Sequence, residues 1–278
     1  MKMSTCIPIL LTDIIFFVGC GESTTPTPDT NLSNPISVYN QAYQENYAAD
    51  TIDDILADAK NAYVLLDATE DDIGQHVSAI KAKGNQVGAY ISAGTGEDYR
   101  EDFAQLQPYL THTAWPDWPN EYFVSQTTTG IVPVIKRRID KVANLGVDWI
   151  EFDNMDWLDE ESRAKYNLTA TVKEAQEYIH TLCDYTHSKG VKCIAKNTVK
   201  GFNDFDGVTY ESFHNEKNWW DTEGTKAFLA QNKPVIIVHY NETDCDGVYA
   251  WYKSYYNSDK ILFICEDVAT QKYKHYNE

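Results

Sequence analysis

The stretch Gly146-Val147-Asp148-Trp149-Ile150-Glu151-Phe152-Asp153-Asn154 decides the fold. Before it, Ile131, Val134, Ile135, Ile139 and Val142 recur three or four residues apart, the spacing of one buried helix face. Gly146 stops that helix, since glycine takes the left-handed backbone that closes a helix. A short apolar run follows at once and ends in a carboxylate and an amide. The unit recurs: Lys83-Gly84 leads into 86–92, and Lys189-Gly190 into 191–197. Reading outward yields eight candidate strands, at 38–43, 62–67, 86–92, 148–153, 191–197, 207–211, 234–240 and 260–266. Helical spacing also lies at Ile52, Ile55, Leu56 and Ala59, and at Ala175, Tyr178, Ile179 and Leu182. Eight strands alternating with helices predict an α/β fold, a single (β/α)8 TIM barrel over residues 36–278.

Barrels of this kind place chemistry at the C-terminal ends of their strands. Here those ends carry Asp67, Ser92, Asp153-Asn154, Lys196-Asn197, Glu211, His239-Tyr240 and Glu266-Asp267. Turn formation alone accounts for Asp67, Ser92 and Asp267, because short polar side chains satisfy the backbone of turns and helix starts. Asp153 and Glu211 are different. Each follows aromatic and apolar neighbours, where partial desolvation raises the pKa of a general acid. Two such carboxylates on nearby strands are what glycosidic bond cleavage requires: one protonates the leaving oxygen and the other attacks or activates water. Glu151 alternates in phase with Asp153, one layer deeper. A buried acid needs a partner, and Arg100 and Lys196 are the candidates.

With 42 Asp+Glu against 23 Lys+Arg, the net charge is −19. That balance excludes a phosphate-binding surface for nucleic acid and a basic patch for an anionic membrane. An apolar content of 43% excludes an intrinsically disordered chain. Residues 1–19 read as a signal peptide, with Lys2 before an apolar run from Ile7 to Val18 that is too short and interrupted to span a bilayer. Phe17-Val18-Gly19-Cys20 resembles a bacterial lipobox, which implies lipid attachment at Cys20; Phe17 and Asp13 depart from that pattern. Residues 20–35 then form a Thr/Pro-rich tether. The expectation is an exported monomer, secreted or anchored, that meets the membrane through its N-terminal lipid only. Cys183, Cys193, Cys245 and Cys265 remain in the body, with three possible pairings and one or two disulfides expected in an oxidising compartment. There is no CxxC and no His/Cys pair at zinc spacing, so neither metal nor cofactor is expected.

Several longer stretches stand in a specific order. They are Ala89-Tyr90-Ile91-Ser92-Ala93-Gly94-Thr95-Gly96-Glu97-Asp98-Tyr99-Arg100, then the decisive stretch continued to Met155-Asp156, then His187-Ser188-Lys189-Gly190 leading to Ala195-Lys196-Asn197. Phe205-Asp206-Gly207-Val208-Thr209-Tyr210-Glu211 and Lys233-Pro234-Val235 leading to Tyr240 complete the set. Together they resemble glycoside hydrolase family 114, the endo-α-1,4-polygalactosaminidases, along most of the chain after the tether. The resemblance implies the same barrel, a retaining mechanism, and reacting carboxylates at Asp153 and Glu211, taken here as nucleophile and acid/base. Two departures stand out. In Trp115 to Ser125, Glu121 keeps its place while Tyr122-Phe123 and Ser125 replace the family's usual residues, and Ser212-Phe213 stand where a Cys usually follows the sixth-strand Glu.

Substrate contacts are expected from Asp67, Tyr90, Ser92, Trp115, Asp156, Lys196, Asn197 and Tyr240. Lys196 suits an ion pair with Asp153, Asn197 a bond to a sugar hydroxyl, and Asp156 a bond from a substrate amine. Trp115, Trp118, Trp219 and Trp220 offer stacking faces for pyranose rings, and Glu97 with Arg100 reads as a loop staple. The expected activity is an exported endo-acting hydrolase of α-1,4-linked galactosamine-rich polysaccharide. Lys2 and Asp13 cancel and Glu22 and Asp29 account for two charges, which leaves −17 on residues 36–278, suited to a cationic aminosugar polymer. The alternatives are a non-catalytic carbohydrate-binding surface lipoprotein on the same barrel, or a glycosidase acting on another amino-polysaccharide.

Overall fold

The computed structural model describes residues 37–43, 49–125, 130–198, 200, 203–213 and 222–276. The expected signal peptide, Cys20, the tether, Trp219 and Trp220 lie outside the described residues. Eight strands run in parallel and in chain order around one sheet: β1 Val38–Asn40, β2 Tyr63–Leu66, β3 Gln86–Ser92, β4 Trp149–Asp153, β5 Lys192–Lys196, β6 Gly207–Phe213, β7 Val235–Glu242 and β8 Ile261–Asp267. Each overlaps a stretch predicted from sequence. β1 stops at Asn40, so Tyr43 belongs to the following loop and not to the strand.

A ninth strand, β9 Lys272–His275, folds back antiparallel on β8. Its Lys-Tyr-Lys-His sequence carries no apolar run, which is why periodicity does not find it. β9 joins the seam between β8 and β1. His275 Nδ1 donates to Val38 O at 2.7 Å, Nε2 meets the Asp50 carboxylate at 3.0 Å, and the ring stacks on Tyr39 with centroids 4.0 Å apart.

The helices follow from local signals. Val132–Asn144 buries Val134, Ile135, Ile139 and Val142 on one face, and Val172–Ser188 opens with a capping box between Thr171 and Glu174. Gly146 and Gly190 follow these helices with φ of 85° and 74°, the left-handed closure expected of them. Both cysteine pairs form, Cys183–Cys193 and Cys245–Cys265, which decides among the three pairings. Each ties an outer helix to a barrel strand, β5 in the first case and β8 in the second.

Alternation places Trp149, Glu151 and Asp153 on the inner face of the barrel and Ile150 and Phe152 against the helices. The bulk of Trp149 fits because Gly88, its partner across β3, has no Cβ; one added there would lie 2.2 Å from the indole. Above that layer the interior becomes polar.

An ionic cluster fixes the loop after β3. Arg100 pairs bidentately with Asp67 at 2.9 Å, and also with Glu70 and Glu97, while Arg138 from the helix Val132–Asn144 joins Glu97 to Asp102. The Arg100 side chain is 5% exposed. Removing one member of a buried pair leaves the others charged without compensation, so Arg100→Ala should lower stability by about 3–5 kcal/mol. Urea denaturation checks this; an unchanged midpoint would mean the cluster contributes no net stability.

Candidate active site

The catalytic candidates meet where β4, β5 and β6 end. Asp153 closes β4, and Glu211 follows Thr209 and Tyr210 in β6, so alternation turns both carboxyls into the barrel mouth. Lys196, at the end of the intervening β5, joins them. Its Nζ lies 2.9 Å from Asp153 Oδ2 and 3.2 Å from Glu211 Oε1, so these oxygens are at most about 6.1 Å apart, the sum of the two legs. The Lys196 side chain is 4% exposed, against 12% for Asp153 and 24% for Glu211.

Asp153 also accepts the backbone N–H of Asn154 at 2.7 Å. Glu211 is held more elaborately. Asn197 Nδ2 donates to Glu211 Oε2 at 2.9 Å while Asn197 Oδ1 accepts the Glu211 N–H at 2.8 Å, and the Tyr240 hydroxyl donates to Oε1 at 3.0 Å. Asn154 and Asn197, which follow Asp153 and Lys196, both have left-handed backbone, φ 59° and 56°. Asparagine tolerates that region better than most side chains. The turn lets each amide reach sideways along the rim.

Burial opposes charge at Asp153, Lys196 and Tyr240. It raises the pKa of Asp153 above the ordinary carboxylate range, with Lys196 pulling down and Glu211 pushing up. At Lys196 burial acts to lower the pKa, but Asp153, Glu211 and Glu151 outweigh it and keep the ammonium charged. Burial lifts the Tyr240 phenol well above its usual value, so it stays a hydrogen-bond donor.

The other predicted residues divide between cleft and scaffold. Tyr90 stands in the interior beside Lys196, 5.9 Å from Nζ to ring centroid. Asp156 opens the turn Asp156–Leu158 after β4, and burial with the Asp153 charge pushes its carboxyl up to about 6. Ser92 is wholly buried, its Oγ bonded to Thr95 Oγ1 and to Asn154 Nδ2, so it supports Asn154 rather than facing the cleft. Asp67 is bound to Arg100, and Asn197 has both amide atoms engaged by Glu211. Trp115 packs on Phe123 and Tyr166, centroids 4.7 and 6.0 Å away, whereas Trp118 is 38% exposed and presents its ring to solvent. His239 pairs with Glu242 below the rim, leaving Tyr240 as the residue of that strand that reaches Glu211.

Two groups escaped the sequence reading. A short antiparallel ladder, Thr95–Glu97 with Glu121–Phe123, brings Glu121 against Asn154 Nδ2 at 3.1 Å and against the Thr95 hydroxyl. Burial there pushes the Glu121 carboxyl up to about 7. Its family position was the available signal. Tyr43, from the loop after β1, donates its hydroxyl to Glu151 and lays its ring against Lys196, 3.7 Å from Nζ to centroid. Glu151 is therefore partnered by Tyr43 and lies in the field of Lys196; Arg100 is taken up by the ionic cluster instead. Among the described residues no group of three His, Cys, Asp or Glu is arranged to hold a metal ion, and no helix is long and apolar enough to cross a membrane.

Comparison with known proteins adds to this geometry. The model of glycoside-hydrolase family GH114 matches residues 26–277. Among solved structures, the chain is similar to Aspergillus fumigatus Ega3 in complex with galactosamine, with a TM-score of 0.67 and 17% identity over 92% of this chain and 100% of that one. It is also similar to the glycoside hydrolase domain of PelA from Pseudomonas aeruginosa, with a TM-score of 0.60 and 16% identity over 88% and 99% of the two chains. At such identities the likeness speaks for the fold alone. No curated protein sequence matches the chain.

Proposed function

The chain belongs to glycoside-hydrolase family GH114 and is a glycoside hydrolase, and from that premise we propose that it is an exported, endo-acting enzyme that cuts α-1,4-linked galactosamine-rich polysaccharide with retention. Asp153 is the nucleophile and Glu211 the acid/base. The observation that carries this reading is the single lysine shared by both carboxyls. It keeps their nearest oxygens within about 6.1 Å, which suits the roughly 5–5.5 Å of retaining enzymes better than the roughly 6.5–9.5 Å that leaves room for an inverting water. Lys196 favours an ionised Asp153 by direct pairing, and Glu211, the more exposed of the two, is open to a leaving oxygen.

In the first step Asp153 attacks the anomeric carbon while Glu211 gives its proton to the departing sugar oxygen. In the second, Glu211 takes a proton from water, which displaces Asp153 and restores the configuration. Asn197 and Tyr240 hold Glu211 in place through both steps. Asp156 and Glu121 lie in the same mouth and suit a substrate ammonium group. The two disulfides suit an oxidising compartment, in keeping with export and with the expected lipid anchor at Cys20.

Proton NMR of freshly formed reducing ends from partly deacetylated galactosaminan tests the mechanism. The α-anomer should appear first, and initial β-anomer would overturn retention. Activity should also fall as ionic strength rises, because salt screens the attraction between a −17 barrel and a cationic polymer. The greater dryness of Asp153 favours the reverse assignment of roles. Azide rescue separates the two: an Asp153→Ala enzyme with azide should give the inverted glycosyl azide if Asp153 is the nucleophile, and the retained one if it is the acid/base.

A further inference from the structure

Beneath the two reacting carboxyls lies a third that the mechanism above does not use. Glu151 is fully buried on β4, two residues before Asp153 and on the same face. Tyr43 donates a hydrogen bond to its Oε1, and the same Tyr43 ring rests on the ammonium of Lys196. Below Glu151 a small cavity is lined by Asn40, Trp149 and Thr209, with room for about one water molecule. Glu151 Oε2, Thr209 Oγ1 and both amide atoms of Asn40 are buried there, and Thr209 is near enough to Glu151 to favour its ionised form.

We propose that Glu151 is a positioning residue of the catalytic centre: seated by Tyr43 in the field of Lys196, it lies one layer beneath Asp153, and its own charge sets how long Asp153 keeps its proton as pH rises. The proposal rests on the reading of Asp153 and Glu211 as the reacting carboxyls. Among the described residues three charged or titratable groups face Glu151: Asp153 on its own strand, Lys196 from β5 and Tyr43 from the loop after β1. Burial pushes Glu151 up to about 7, so its charge appears near neutrality, two residues from the carboxyl that must be ionised to attack. Each new anion beside a protonated carboxyl makes the proton harder to remove. Carboxyls two strand residues apart, roughly 7 Å, shift one another by about one to two pH units at an effective dielectric of ~20. Glu151 and Asp153 therefore titrate as a coupled pair.

Glu151→Gln keeps the shape and removes the charge. Carbon-13 NMR of the side-chain carboxyls in the full chain should show Asp153 losing its proton about one pH unit lower in this variant. Tyr43→Phe keeps the ring on Lys196 but removes the bond that favours ionised Glu151, so it should shift the same way by less. The acidic limb of kcat/KM on partly deacetylated galactosaminan should move to lower pH in parallel, with KM little changed. A purely structural Glu151 would lower the melting temperature of Glu151→Gln and leave the carboxyl titration where it was, and that result overturns the proposal. If the carboxyls shift but the wild-type enzyme does not cut this polymer, the substrate assignment fails and the role of Glu151 stands.

Discussion

Asp153→Asn should lower the rate of galactosaminan cleavage by at least about a thousandfold, or roughly 4 kcal/mol of transition-state stabilisation, while the enzyme stays folded. The amide matches the carboxylate in shape but is a far weaker nucleophile. Lys196 keeps Glu211 at 3.2 Å, so no buried charge is left without a partner. Circular dichroism and the urea midpoint would establish the fold, and reducing-end release would measure the rate. Wild-type product release from the folded variant would sink the assignment of Asp153.

The second large effect is expected from Lys196→Met. Among the described residues this side chain is the cation that bridges Asp153 and Glu211, and its loss should cost turnover by about a hundredfold or more. The direction of the pH shift is fixed by charge. Without the ammonium Asp153 binds its proton more tightly, so the acidic limb of kcat moves to higher pH, opposite to the shift expected of Glu151→Gln. Stability should follow. A carboxyl whose folded pKa is raised contributes stability that is complete below its unfolded value, near 3.8 for Asp153, and lost as pH rises through the folded value. The variant should therefore be closest to wild type in acid and fall behind towards neutrality. Denaturation at two pH values checks the slope. A limb that did not move would mean that Lys196 fixes position without tuning charge.

Much of this architecture was legible in sequence because barrel units are local. The helix periodicities, the closing glycines at 146 and 190, and the apolar strands ending in polar residues each occupy fewer than about twenty neighbouring residues. The strand that failed to show, Lys272–His275, has no apolar stripe to read, and it earns its place through one histidine that meets Val38 across 237 positions. The ladder carrying Glu121 was missed for a related reason: its two three-residue strands stand far apart within the long connection after β3, and neither has a period long enough to detect.

The site divides along the same line. That Asp153 and Glu211 stand at the mouth followed from alternation along their own strands. How they are served did not. Ser92 and Asn197 have the polarity of sugar ligands, yet folding commits them to Asn154 and Glu211. Tyr43 reads as a strand end and arrives beneath Lys196 and beside Glu151, 108 residues away.

By itself the sequence determined the repeating βα unit, the barrel and the pair of embedded carboxylates, since periodicity, capping and alternation act between near neighbours. Only the tertiary structure decided that one lysine bridges the pair, that a third carboxyl lies beneath it, and which cysteines join. Those contacts depend on barrel closure, which brings the strand ends together and excludes water from between their charges.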